Sequence, residues 1–273
     1  MTLEFIKLVK GDSPVAEVGS YGFFKLGVES GGGGDLVTFA NATPEQISII
    51  SAEISANNLT VEQVAETYGW NLGDTTKITL TTGEVIEVRI IDFNHDVKSD
   101  GSGKAGITLQ MTHCLATTYP AHTYDKYTSW EYCTMRTSAL PEIKKTLPNE
   151  WQSIIKKVNK KQVASQYSDA KTMQDELFLL SEYELWGRLI NAPASIGTKE
   201  GSTQYSYWAN RSKVMMRDTD GDGVPDTSTS WMLRTMHRLS SNAQGFCAVT
   251  SAGASGYHDY TSQSIGVSFA FCV

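Results

Sequence analysis

Polar and apolar residues alternate with a period of two at several places along the chain. In "TKITLTTGEVIEVRIIDFNHD" two such runs flank the turn "TTGE", which predicts a β-hairpin. "ITLQMT" reads as a further strand. At the end of the sequence Val267, Phe269, Phe271 and Val273 alternate with Ser268, Ala270 and Cys272, predicting a terminal strand with one buried face. Chain ends usually fray, which makes a core strand at this position unusual. Elsewhere the period is helical. Ile47, Ile50 and Ile54 share one face of "NATPEQISIISAEISANNLT", with Thr43 placed to cap and Pro44 at the first helical position. Thr60 opens a second helix in "TVEQVAETYGW", and Gly69 stops it. "SWEYCTMRTSALPEIKKTL" and "PNEWQSIIKKVNKK" predict two amphipathic helical stretches separated by Pro148. "ELFLLSEYELWG" reads as a short buried strand running into a short helix. From Gly201 the pattern becomes irregular, with strands expected only at "SWMLR", "GFCAVT" and the terminus. Loop-rich stretches of this length inside a compact domain are usually functional or ligand-facing.

The element order predicts an α+β protein. Before it, "LEFIKLV" and "AEVGSYGFFKLGV" are strand-like and lead to "SGGGGD" at Ser30–Asp35. Four consecutive glycines carry too much backbone entropy for a packed element. A boundary is therefore expected there, with an N-terminal arm and linker over 1–35 and the main domain, entered through helices, over 36–273.

Composition narrows the function. The 273 residues are 40% hydrophobic and only 19% charged, with net charge −7 and pI near 5.3, so nucleic-acid binding gains no support. No run approaches the roughly 18 apolar residues of a membrane span, so no membrane insertion is expected. "MTLEFIKLVK" lacks the features of a secretion signal, which leads us to expect a protein made in the cytoplasm. Cys114, Cys133, Cys247 and Cys272 stand singly, without the C-x-x-C pairs of a zinc site, and read as buried free thiols; a Cys247–Cys272 pair stays open.

The sharpest local motif is "DTDGDGVPD". Carboxylates at Asp218, Asp220, Asp222 and Asp226, with the Val224 carbonyl, alternate as the oxygen ligands of a structural Ca2+ do, and Gly223 permits the sharp turn. The twelfth position is Thr229 rather than the glutamate of an EF-hand, and the same run also makes a good acidic turn. "DFNHDVKSD" brings His95 near Asp92, Asp96 and Asp100, a set able to hold a metal or move protons, or else a loop histidine satisfied locally. Glu182 and Glu184 lie two apart at a strand–helix junction, where solvated or capping roles are expected rather than a glycosidase-like pair. The remaining histidines show no H-x-x-x-H spacing, and no nucleophile elbow, P-loop or dinucleotide fingerprint occurs.

"WNLGDTTKITLTTGEVIEVRIIDFNHD", "SGKAGITLQM", "WEYCTMRT", "IKKVNKK", "ELFLLSEYELWG", "SWMLRT" and "GFCAVTSAGASGYHDYTSQSIGVSFAFCV" occur in that order over residues 70–273. Together they resemble a domain family of unknown function from gut Firmicutes and their prophages. Its C-terminal half is similar to the C-type-lectin-like fold of the formylglycine-generating-enzyme type. That resemblance does not carry the enzyme's activity, because Cys247 and Cys272 do not match its closely spaced copper-binding cysteines. It implies a phage-tail protein located in the virion. Its partners would be a host cell-surface receptor (glycan or protein) and other virion or tail subunits, in a homo-oligomer that could be a trimer. The receptor face implied comprises Arg234, Met236, His237, Arg238, Tyr257, His258, Asp259 and Tyr260, a composition of adaptable binding loops or else of a solvated hairpin loop. A virion structural or decoration protein that binds only other subunits, and a surface-glycan-acting enzyme on the same fold, are the alternatives.

Overall fold

Both entry helices begin as expected. Thr43 and Gln46 form a reciprocal capping box: Gln46 N donates to Thr43 Oγ1 at 3.2 Å and Thr43 N donates to Gln46 Oε1 at 2.9 Å. They open α1 (Pro44–Asn57), and Thr60 with Gln63 repeats the device for α2 (Val61–Tyr68), which Gly69 closes. A computed structural model describes residues 36–123, 129–163, 169–196, 198–237, 245–258 and 261–273. Thr38–Val273 forms one compact unit; the expected N-terminal arm and glycine linker lie outside the described residues.

After the helices come β1 (Thr75–Thr79), β2 (Val85–Phe93), β3 (Ile107–Met111) and the short β4 (Tyr119–Pro120). A π turn at Met135–Ala139 leads into α3 (Leu140–Thr146), followed by α4 (Asn149–Ile154), β5 (Val158–Val163), β6 (Ala170–Asp175), β7 (Leu177–Phe178) and α5 (Glu182–Trp186). The last third holds β8 (Met215–Arg217), β9 (Thr227–Thr229), β10 (Trp231–His237), β11 (Gly245–Val249), β12 (Ser255–His258), β13 (Ser264–Ile265) and β14 (Ala270–Cys272). The fold is thus α+β, with small antiparallel sheets and no barrel among the described residues. None of the described helices is long and apolar enough to cross a membrane.

The largest sheet runs β1-β2-β3-β14-β7, antiparallel throughout. The terminal strand lies in its interior, with Phe271 opposite Leu109 on one side and Leu177 on the other. The expectation of a single buried face is corrected here: Ser268, Ala270 and Cys272 are as fully buried as the aromatics between them. Both faces are covered. Trp151 of α4 meets Phe271 edge-on at 6.1 Å, while Ala270 and Cys272 join the core of Phe178, Leu180, Leu185 and Trp208.

A second correction concerns "PNEWQSIIKKVNKK". The helix stops at Ile154 and Val158–Val163 extends as β5, paired with β6 and bridged at Val158 to Lys98. Strand partners far away in sequence override the local helical pattern. Likewise the first residues of "SWEYCTMRT" form turns before the π turn at Met135. Helix α1 seats against the start of β3 because Gly106 has no side chain: a Cβ there would stand 1.9 Å from the Ser51 carbonyl oxygen. Ser51 Oγ in turn donates to the Val273 carbonyl, tying helix and terminal strand together.

Candidate functional site

Among the described residues, three groupings of polar side chains stand out. The first is a buried charge cluster at the centre of the fold. Asp96, just beyond β2, faces Lys160 of β5; the two side chains are 4% and 2% exposed. Lys160 Nζ donates to Asp96 Oδ1, to Tyr205 Oη at 2.6 Å and to Glu184 Oε1 at 3.2 Å. Thr108 Oγ1 donates to Asp96 Oδ2 at 2.8 Å, and the Cys272 thiol lies 3.3 Å from the same oxygen. Arg234 grips Glu184 with both terminal nitrogens, at 2.6 and 2.9 Å. Burial by itself raises both carboxyls, but the cationic neighbours prevail. Asp96 is held well below the usual range, chiefly by Lys160, and Glu184 is brought down to about 2 by Arg234 and Lys160. Glu200, accepting from Val163 N and Thr235 Oγ1, is pushed up by burial.

The second grouping lies at the end of β10 and β12. Glu182 is fully buried at the start of α5. Its carboxylate accepts from the amides of Ile190, Asn191 and Ala192 at 2.8–2.9 Å and from Ser255 Oγ at 2.8 Å. It thereby fixes the 190–192 loop against β12. The Asn191 carbonyl of that loop accepts from His237 Nδ1 at 2.9 Å. Tyr257 stacks on the His237 ring at 3.8 Å and 9° between planes, and remains 48% exposed. Two members of the expected receptor face thus meet. Arg234 and Met236, on the same strand, are corrected to interior positions, 0% and 2% exposed. Arg234 turns inward because Glu184 awaits it, and Met236 because it packs into the core. Arg238, Asp259, Tyr260 and the His258 side chain lie outside the described residues.

The third is the acidic loop between β8 and β9. Ligand oxygens of Asp218, Asp220 and Asp222 all lie within 4.8 Å of one another, so the cluster could hold a metal ion. Asp218 accepts from Gly221 N at 2.7 Å and Gly223 N at 2.8 Å, turns for which both glycines take positive φ, 84° and 86°. Asp226 stands apart from the cluster and accepts from Thr219 Oγ1 at 3.1 Å, while Val224 is 58% exposed. Three of the four expected carboxylates therefore fit a cation. The loop also borders a cleft of about 880 Å3, whose other wall carries Glu84, Glu87 and His113. Burial lowers the His113 pKa. Nothing in the local sequence joined these residues, which come from three separate segments.

The histidine set of "DFNHDVKSD" disperses. His95 Nδ1 pairs with Asp92 at 3.0 Å and its ring stacks on Tyr205 at 4.1 Å, whereas Asp96 turns to Lys160 and Asp100 caps Ser102 in an exposed turn. Asp92 is further occupied by Ser206, N and Oγ. Glu184 caps its own helix besides pairing with Arg234. All four cysteines are free and buried.

Neither a curated protein nor a solved structure matches the chain. One family model does, over residues 105–273, a span that runs from the approach to β3 through Lys160, Glu184, Arg234, the acidic loop and the Tyr257–His237 stack to the terminal strand. By that match the chain belongs to the family described as Domain of unknown function (DUF6273).

Proposed function

We propose that this chain is a non-catalytic recognition protein on a C-type-lectin-like scaffold, serving phage-tail adsorption by binding a cell-surface glycan. The observation that carries the reading is the Tyr257–His237 stack. An aromatic ring that is half exposed yet held rigidly offers contact area at little entropic cost, and its hydroxyl can pair with a polar ligand. Rigidity is traceable through His237 to Asn191 and from there to the Glu182 carboxylate. The His95 and Asp92 groups, by contrast, are spent on contacts within the fold, which favours recognition over hydrolysis. The tail setting rests on the resemblance of the ordered sequence segments. In this reading the acidic loop binds Ca2+ as a structural ion through Asp218, Asp220 and Asp222.

Binding of the purified protein to bacterial cells and to arrayed surface glycans tests this. Tyr257→Ala should weaken binding by about 1–2 kcal/mol, as loss of an interface aromatic does, while leaving the melting temperature nearly unchanged. Unaltered binding by Tyr257→Ala would remove this end of the fold as the site.

A further inference from the structure

We propose that Lys160 and Asp96 become joined by an intramolecular isopeptide bond between Lys160 Nζ and Asp96 Cγ. The backbone sets the pair opposite one another. Lys98 and Val158 form an antiparallel bridge, and Asn159 N donates to the Val97 carbonyl at 2.8 Å, so the next position along brings Lys160 across from Asp96. Nζ touches Asp96 Oδ1 in a pocket closed to water, with the Phe178 ring centroid 3.9 Å and the Tyr205 ring centroid 5.2 Å from the nitrogen.

The surrounding groups supply the means for condensation. Nζ can hand a proton straight to Asp96 Oδ1, which it touches, so that a neutral amine meets a neutral carboxyl group, while Glu184 Oε1, 3.2 Å away, orients the nitrogen. Tyr205 Oη, 3.2 and 2.9 Å from the two Asp96 oxygens, and Thr108 Oγ1 at 2.8 Å polarise the carboxyl group and hold its oxygens as nitrogen adds to Cγ. Attack forms the N–Cγ bond, and the Cγ–Oδ1 bond then breaks. The ammonium carries three protons. One stays on the amide nitrogen, one passes directly to Oδ1, and the third reaches the same oxygen through the Tyr205 hydroxyl, so that Oδ1 leaves as water. No oxidant, metal or cofactor is consumed. Exclusion of water favours the amide, and the fixed geometry replaces a bimolecular encounter by an intramolecular one.

Mass spectrometry of the full-length denatured protein and of its tryptic digest tests the bond. A mass lower than that of the sequence by one water, together with a branched peptide joining the Asp96 and Lys160 segments, is the expected result. A digest that yields the two segments as separate linear peptides overturns the proposal. So does a water loss mapped instead to an imide at Asp100, Asp220 or Asp222, each of which precedes glycine. Lys160→Met should restore the lost water, but the peptide map of the unaltered protein decides the question even if that variant fails to fold.

Discussion

Arg234 is a full positive charge with no exposed surface, and everything about it follows from Glu184. A guanidinium offers a planar fork that fits a carboxylate in two parallel hydrogen bonds, and here both are made. Such a pair adds little over an apolar pair of the same volume, but removing one partner strands the other. Arg234→Met should therefore cost about 3–5 kcal/mol in urea unfolding, whereas the double variant Arg234→Met, Glu184→Leu should recover much of that loss. The same pairing sets the response to acid. The Glu184 carboxyl titrates near 2 in the folded chain and near its ordinary 4.5 when unfolded. Its folded pKa is depressed, so its stabilisation is complete above the ordinary value and fades as pH falls from 4.5 towards 2. Glu184→Gln should flatten the acid limb of the stability profile in that window. An unchanged limb would mean that other carboxylates govern acid unfolding.

At the scale of elements, the terminal strand and α1 hold each other in place. Deleting Phe269–Val273 removes two fully buried aromatics and the strand between β3 and β7. Losses of several kcal/mol against a total of about 5–15 should leave an unfolded chain, visible as lost near-ultraviolet circular dichroism. Gly106→Ala tests the helix seat more gently. Its added carbon would overlap the Ser51 carbonyl, a backbone atom that can move only with α1, and overpacking of this kind costs on the order of 1–3 kcal/mol. The acidic loop behaves as a separable element. If it binds Ca2+, calcium should raise the melting temperature of the native protein, and Asp220→Asn with Asp222→Asn should abolish that rise without altering melting in chelator. Equal melting in calcium and chelator would leave the run as an acidic turn.

Across the whole molecule, Thr38–Val273 is one contact unit, so that segment expressed alone should unfold in a single transition by calorimetry. What could be read from the sequence is what short stretches of chain decide for themselves. Threonine caps with glutamine three residues on, the "TTGE" hairpin, the Gly69 stop and the strand-to-helix run at "ELFLLSEYELWG" are set by dihedral preference, local hydrogen bonds and side-chain periodicity. Isolated cysteines in apolar runs likewise announced buried thiols. Tertiary structure alone decided the rest. "KKVNKK" reads as a polar helix end until β6 and the Lys98 segment supply strand partners, and Lys160 reads as a solvated cation until Asp96, 64 residues away, meets it. Arg234 looked like part of a binding face for the same reason, since Glu184 is 50 residues distant. A buried charge is tolerable only beside its counter-charge. Such pairs are created by chain topology, and no periodicity within either segment encodes them.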